Sequence, residues 1–593
     1  MSQNLSKTYI LLLGSDANTI NNTAILDNTY GLFLDTSPST TARNNTITNN
    51  TFNFGLYGES IMDFIQDIDS SNTVAGKPIC YIVNQRGSSV STDAGYVAVV
   101  NSTNINVKDA NLTGNSEGIL FAYSNGSVIQ NVNASNNSVG IFLYESMNNS
   151  VTDTSLTNSD EGIYLLSSNN NTVASSILSN NSYGLDIVRS YNNAASDLEA
   201  FNNTYGVLLE MSGNNSLRNN NLTINQFNFG VVGTQLFDLV NDVDTSNIVD
   251  GKPVYYWINQ HDEQIPKDAG YVAVVNSANI TVAQLNVTKN VQGVLFAFTT
   301  DSTISQNNVT ENDQNGIVLY SSDHNRIYAN KLAGNGVGVG TVDPSNNTIY
   351  HNNFMGDNVE ALCYNSSNLW DNGYPSGGNY WINYTGLDLR RGVYQNEKGI
   401  DGIGDTPYVI GSHNKDNYPL MQHWTGHDIT VISVMSTKTV IGEGFSYKVI
   451  VNVANEGDTA ETFNVTAYAN ATVIGTQQIT NLNGTDQNIL TFGQNTTGLA
   501  YGNYTISAHA SPVPGETNIA NNNLTVDSIC VGILGDINGD GTVNILDAIV
   551  LGSSFLATLN SRNWNSNADI NDDGIVNILD AIIMGNHFLQ HYP

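Results

Sequence analysis

The chain has 593 residues, with 53 Asp and Glu against 19 Lys and Arg and a formal charge of −34. That balance excludes nucleic acid and other polyanions as natural partners, because like charges repel, and favours cations. Disorder is excluded too: 40% of residues are apolar and recur periodically, and with only 12% charged residues the solubility must come mainly from amides and hydroxyls.

The first apolar run, "YILLLG" at residues 9–14, is far shorter than a membrane span and lacks the basic flank and cleavage site of a signal peptide. It reads as a strand of a first repeat, so an export signal is expected upstream of this sequence. No other segment approaches the roughly 18 apolar residues of a span. Cys80, Cys363 and Cys530 are too few and too scattered for a disulfide framework and are expected to be small buried residues. Sequons at Asn44, Asn111, Asn133, Asn221 and Asn464 fit an exported protein.

From the start to about residue 345 one phrase returns: a Gly, alternating apolar residues, polar residues and an Asn cluster. Gly118, Gly140, Gly162, Gly184 and Gly206 follow at steps of 22. A period near 22 fits one coil of a parallel β-helix or of a leucine-rich repeat, and the Leu positions of the latter are missing. Alternation in "GIFLY" and "GIVLY" predicts short strands with every second side chain inward. Asn tolerates left-handed backbone and is expected at the corners, with ladders of amides between coils. Two steps of 63 each insert about 40 residues, near 56–100 and 231–275, and the insertions are copies at a constant offset of 175. Asp67/Asp242, Asp69/Asp244, Lys77/Lys252 and Asp93/Asp268 recur, and turn or cap roles are expected for these carboxylates.

This pattern, with "NTIYHNNFMGDNVEALCYN", "WDNGYPSGGNYWINYTG" and "DGIGDTPYVIG…DNYPLM", resembles the right-handed β-helix proteins of the NosD type over residues 1–425. The resemblance implies a β-helix over 1–360, closed by a C-terminal coil and cap over 361–425. It also implies two quite different activities, copper accessory work or carbohydrate binding and hydrolysis. Copper would need clustered His, Met or Cys, and His261, His324 and His351 are not spaced like a site. Hydrolysis would need close carboxylates. The Asn-Thr-Asp, Asp-Asp and Gly-His-Gly signatures of polygalacturonase-like enzymes are missing from the repeats; Arg189, Arg218 and Arg326 read as isolated, and Asp186 with Arg189 reads as a surface ion pair.

Over 427–530 the beat changes. Tyr447, Val449, Val451 and Val453 alternate with polar residues, as do Phe463, Val465 and Ala467, predicting antiparallel strands of a β-sandwich. "VNVANEGD", "GNYTISA" and "VPGETNIANN" resemble the CARDB domain, an immunoglobulin-like spacer of surface proteins.

The tail over 533–593 carries two loops 33 residues apart, "GDINGDGTVNILDAIVLGSSFL" and "ADINDDGIVNILDAIIMGNHFL". Asp536, Asn538, Asp540, Thr542, Asn544 and Asp547 occupy positions 1, 3, 5, 7, 9 and 12 of the first, and Asp569, Asn571, Asp573, Ile575, Asn577 and Asp580 those of the second. Hard oxygens at this spacing, position 7 through its carbonyl, with Gly541 and Gly574 at the sharp turn, wrap a chain around Ca²⁺. Asp at position 12 and one helix after each loop resemble a type I dockerin. That resemblance implies two Ca²⁺ ions, a cohesin-type partner, and contact through Ile545, Leu546, Gly552 and Ser553 or, symmetrically, Ile578, Leu579, Gly585 and Asn586.

The sequence therefore predicts a mainly β protein: right-handed parallel β-helix solenoid, immunoglobulin-like β-sandwich, and a small α-helical calcium-binding dockerin module. Its expected role is that of a secreted or cell-surface modular protein, with a non-catalytic glycan-binding or structural solenoid mounted through a calcium-dependent dockerin–cohesin interaction. A polysaccharide lyase or glycoside hydrolase is the alternative, and a copper-binding accessory protein the remote one.

Overall fold

The computed structural model describes residues 9–343, 346–457, 459–516 and 518–592. The chain forms two compact units, Met1–Leu369 with Val409–Lys415, and Trp370–Tyr408 with Asp416–Pro593.

The first unit is a parallel β-solenoid. Each coil contributes short strands to separate faces, and strands pair with their equivalents one coil on: Ile119 lies beside Ile141, then Ile163, Leu185 and Val207. These five side chains point inward and are at most 1% exposed, so the core is a stack of aliphatic layers. The 22-residue glycine has a steric cause. A Cβ on Gly140, Gly162 or Gly184 would sit 2.5–2.6 Å from the carbonyl oxygen of the equivalent glycine in the next coil.

Asparagine serves both expected purposes. Asn136, Asn158, Asn180 and Asn202 take φ of 57° at one corner. Buried Asn149, Asn171, Asn193 and Asn215 form a ladder in which the Oδ1 atoms of Asn171, Asn193 and Asn215 each accept the preceding coil's Asn N–H at 2.8–2.9 Å. A parallel serine ladder, Ser146 to Ser168 to Ser190, repeats at 2.8–3.0 Å. Buried polar groups are thereby satisfied by their own repeats.

The duplicated insertions build further coils as well as surface. In the first, a one-turn helix α1 (Ile61–Phe64) precedes Lys77–Val83, which pairs in parallel with Tyr96–Val100 and through it with Glu117–Ala122. In the second, α2 (Leu236–Leu239) precedes Lys252–Ile258 and Tyr271–Val275 in the same arrangement. The recurring carboxylates have structural partners. Arg43 bonds Asp67 and lies 3.1 Å from Asp69, and Arg218, 175 residues on, bonds Asp242 and lies 3.1 Å from Asp244. Arg218 is thus not isolated, its partners being one coil away rather than adjacent in sequence. The three cysteines are half-buried rather than buried, Cys80 packing against the solenoid core beside Ile82 and Cys530 lying with its Sγ 3.8 Å from the Tyr592 hydroxyl.

In the second unit the "GGNYW" and "DNYPL" phrases meet. Buried Asp416 accepts N–H bonds from Asn379 (2.7 Å), Tyr418 (3.0 Å) and the Trp381 indole (2.9 Å), and a Cβ on Gly378 would collide with it. Trp381 stacks on Tyr408 at 4.1 Å. The sandwich packs Ile429–Ser436, Ser446–Asn455 and Gln487–Asn495 against a sheet that includes Glu461–Ala469, Thr472–Leu482, Gly502–Ala510 and Asn523–Gly532. Tyr447, Val449, Val451, Val453, Phe463, Val465 and Ala467 form its core. Two nine-residue helices, α3 (Ile545–Ser553) and α4 (Ile578–Asn586), follow, packed around Ile537, Val543, Leu551, Ile570, Val576 and Met584.

Candidate functional site

Each acidic loop of the tail is closed by its first and last carboxylates. Asp536 accepts backbone N–H bonds from Gly539, Asp540 and Gly541 at 2.8–3.2 Å. Asp547 accepts from Ile537 (2.8 Å), Asn538 (3.1 Å) and Asn544 (2.9 Å). Asn544 caps α3, its Oδ1 accepting the Leu546 N–H at 2.7 Å while its Nδ2 donates to the Thr542 carbonyl at 3.2 Å. Asn538 donates to Asp540 at 3.0 Å. The second loop repeats the pattern: Asp580 accepts from Ile570, Asn571 and Asn577, Asp569 from Asp573 and Gly574, and Asn577 caps α4 and donates to the Ile575 carbonyl.

Burial pushes the Asp536 carboxyl above its ordinary range, with the Asp547 and Asp540 charges adding to the rise against backbone donors that oppose it. Among the described residues no ion pair reaches the first loop's carboxylates. The second loop differs. Lys438 of the sandwich, 4% exposed, donates to the Asp569 carbonyl and lies 3.6 Å from Asp572 Oδ1. Its charge opposes the burial that raises Asp569. Asn567 fixes the same contact, accepting the Thr439 N–H at 3.0 Å.

The eight helix residues singled out from the sequence all lie at the surface. Ile545 is 63% and Leu546 52% exposed, Ile578 61% and Leu579 51%. Gly552 and Gly585 face open space, with nothing within 4 Å of a built Cβ. Packing within the fold therefore demands neither glycine.

The solenoid carries a second cluster, which sequence adjacency misplaced. Asp186 is 7% exposed, and no ion pair joins it to Arg189 among the described residues. Strand alternation directs Leu185 and Ile187 into the core and Asp186 to the outer face, whereas Arg189 turns the following corner at φ 47°. One coil earlier Asp186 pairs in register with Tyr164, and Tyr183 with Glu161. Asp186 Oδ1 and Glu161 Oε2 are buried without a hydrogen-bond partner among the described residues. Burial pushes Asp186 up to about 8, the Glu161 and Glu210 charges adding, and Glu161 up to about 7, with Asp160 adding. The 22-residue step held the signal: added to Tyr164 it gives Asp186, and added to Glu161 it gives Tyr183. Glu161 lines a groove of about 830 Å³ together with Tyr30, Phe33, Phe142, Tyr164 and Arg189, and Asp186 lies one coil beyond Tyr164 at its end. Phe142 and Tyr164 stack at 5.0 Å, and Tyr183 and Tyr205 at 4.8 Å.

His261, His324 and His351 do not converge. His261 is in the second insertion, His324 is in a corner three rungs along the same ladder, and His351 is buried beside Tyr350. Among the described residues no three His, Cys, Asp or Glu form a metal-holding group.

Comparison with known proteins places these parts. Residues 63–255 and 260–386, more than half of the chain, match the family described as "Periplasmic copper-binding protein (NosD)", and residues 534–589 match the type I dockerin domain. Among solved structures, the CARDB domain of PF1109 from Pyrococcus furiosus is 26% identical, covering 18% of this chain and 88% of that one, with a TM-score of 0.16. A domain of a putative cell surface protein from Methanosarcina acetivorans is 23% identical, covering 18% and 91%, with a TM-score of 0.15. The A-module of the mannuronan C-5 epimerase AlgE6 from Azotobacter vinelandii is 13% identical, covering 59% and 89%, with a TM-score of 0.23. No curated protein matches the chain. The chain belongs to the NosD family, as a modular protein whose β-solenoid is followed by a β-sandwich and a type I dockerin domain.

Proposed function

We propose that this is a secreted or cell-surface protein whose dockerin binds two calcium ions and mounts a non-catalytic, glycan-binding or structural solenoid on a cohesin-type partner. The observation that carries this reading is the doubled apolar helix face. A globular tail of about 60 residues needs its Ile and Leu for a core, yet it leaves Ile545, Leu546, Ile578 and Leu579 more than half exposed. Each pair is followed seven residues on by a Gly that the fold does not require. A partner surface explains both.

The loop chemistry suits calcium. Asp536, Asn538, Asp540, Thr542, Asn544 and Asp547 offer only hard oxygens, and a divalent cation would relieve the mutual repulsion around Asp536. Asp569, Asn571, Asp573, Ile575, Asn577 and Asp580 offer the same set. Calcium titration of the full chain by calorimetry should give two ions for the wild type and one for Asp536→Ala. Saturation without any bound calcium would refute this reading.

A polysaccharide-degrading activity is the second reading, favoured by the paired outer carboxyls Glu161 and Asp186. Incubation with pectins, alginates and neutral polysaccharides is expected to yield no new reducing ends and no unsaturated products. Products lost on Glu161→Gln would establish the enzyme instead. Copper carriage, the property for which the family is described, is the remote reading, since it would need soft ligands brought together.

A further inference from the structure

The outer face of the solenoid holds two features that the coil itself does not need. Coils are held together by backbone ladders, the Asn and Ser ladders and inward aliphatics, and outward positions are free to be polar and solvated. At the positions of Glu161 and Asp186 the chain instead buries carboxyl oxygens and leaves one on each without a partner. Such an arrangement is unfavourable, because a buried acceptor without a donor has lost its hydration and gained nothing in exchange.

The third buried carboxyl of this face shows the contrast. Glu117 plugs the place where the sheet divides, accepting the Leu56 N–H (3.2 Å) and the Tyr96 hydroxyl (3.0 Å). Its counterpart in the second copy is Gln292, which meets the Val231 N–H and the Tyr271 hydroxyl. Glu117 is therefore structural. No such internal role absorbs Glu161 and Asp186, whose second-copy equivalents by register are Val337 and Leu362.

Around the unpaired oxygens the face is aromatic. The groove runs across the strands from Leu11 and Tyr30 to Tyr164 and Arg189, seven rungs at about 4.8 Å each, or on the order of 30 Å. Tyr9 is 55% exposed, and Tyr30 and Tyr57 are each 44% exposed. An extended cleft with apolar ring surface and a few convergent, unsatisfied polar groups is built for a ligand that is amphipathic along its length.

We propose that this groove binds an extended, uncharged polysaccharide strand, with sugar rings against Tyr30, Phe142 and Tyr164 and sugar hydroxyls satisfying Glu161 and Asp186. Hydroxyls donate and accept, so they complete either form of a carboxyl. A uronate polymer fits less well, because it would meet Asp35 and Glu161 and a chain of net charge −34, with Arg189 the one cation among the described residues that line the groove. This inference deepens the glycan-binding reading of the solenoid and rests on it.

The test is calorimetric titration of the full-length chain with cellohexaose, xylohexaose, mannohexaose and laminarihexaose, with hexagalacturonate as the charged probe. At least one neutral hexasaccharide is expected to bind with a Kd below about 100 µM. Tyr164→Ala and Asp186→Ala should each weaken it at least tenfold, whereas Asp186→Asn, which keeps the hydrogen-bonding capacity, should stay within about threefold. Circular dichroism and thermal melting report whether each variant keeps the fold, and the half-exposed Tyr164 decides if the buried Asp186 variant unfolds. Neutral glycan binding that ignores both variants overturns the groove assignment while leaving a glycan-binding solenoid standing. No binding of any neutral hexasaccharide at 1 mM overturns both, and tighter binding of hexagalacturonate overturns the uncharged class.

Discussion

At the residue scale, the internal duplication performs a substitution experiment. Glu117 and Gln292 occupy equivalent places at the two sheet divisions, so a carboxyl and a carboxamide do the same work there. Full burial pushes Glu117 up to about 8, which means that it is held neutral. The sign follows from linkage. A carboxyl raised in the folded state contributes its full stability below its ordinary value near 4.5 and loses it as pH rises toward 8. Glu117→Gln should therefore leave the melting temperature near that of the wild type at pH 5 and raise it at pH 9, by an amount corresponding to a few kcal/mol. Melting curves at the two pH values check this, and equal pH dependence in both proteins would show that Glu117 is charged in the fold.

At the element scale, α3 and α4 each carry a glycine, Gly552 and Gly585, with open space where a side chain would go. Glycine in a helix costs about 1 kcal/mol relative to alanine, so Gly552→Ala with Gly585→Ala should stabilise the tail by about 1–2 kcal/mol. The same change should weaken cohesin binding by roughly tenfold or more if a partner backbone approaches there, which surface plasmon resonance would measure. These helices were legible because their signals are local: a 12-residue loop, an Asn cap, a helical apolar period. The solenoid was legible because one beat of 22 sets strand, corner and ladder together. What escaped was lateral. Asp186 was paired with Arg189, its neighbour along the chain, whereas the coil pairs it with Tyr164 and places it near Glu161. Arg43 and Arg218 likewise reach Asp67 and Asp242 across coils, 24 residues away. In a solenoid the chemical neighbourhood is read down the columns.

At the scale of the whole molecule, each part has its own core: stacked aliphatics in the solenoid, Tyr447 and the valines in the sandwich, and Val543, Val576 and Met584 in the tail. The tail is the smallest and has the most acidic loops, so its folding should lean on calcium. Chelation is expected to lower the melting of its helices and leave the β signal of the solenoid unchanged, as followed by circular dichroism at helical and strand wavelengths. The sandwich reaches the second loop through Lys438 and lies against Gly539 of the first through Val440, and it leaves both helix faces open. Mounting by either face thus remains sterically available. The most direct test of the account is retention of the full-length chain on an immobilised panel of type I cohesins, in calcium and in chelator. The account predicts retention on at least one cohesin in calcium, release on chelation, and loss in the variant Asp536→Ala with Asp569→Ala. Failure of every cohesin to retain the calcium-loaded chain, or retention indifferent to calcium, would contradict it.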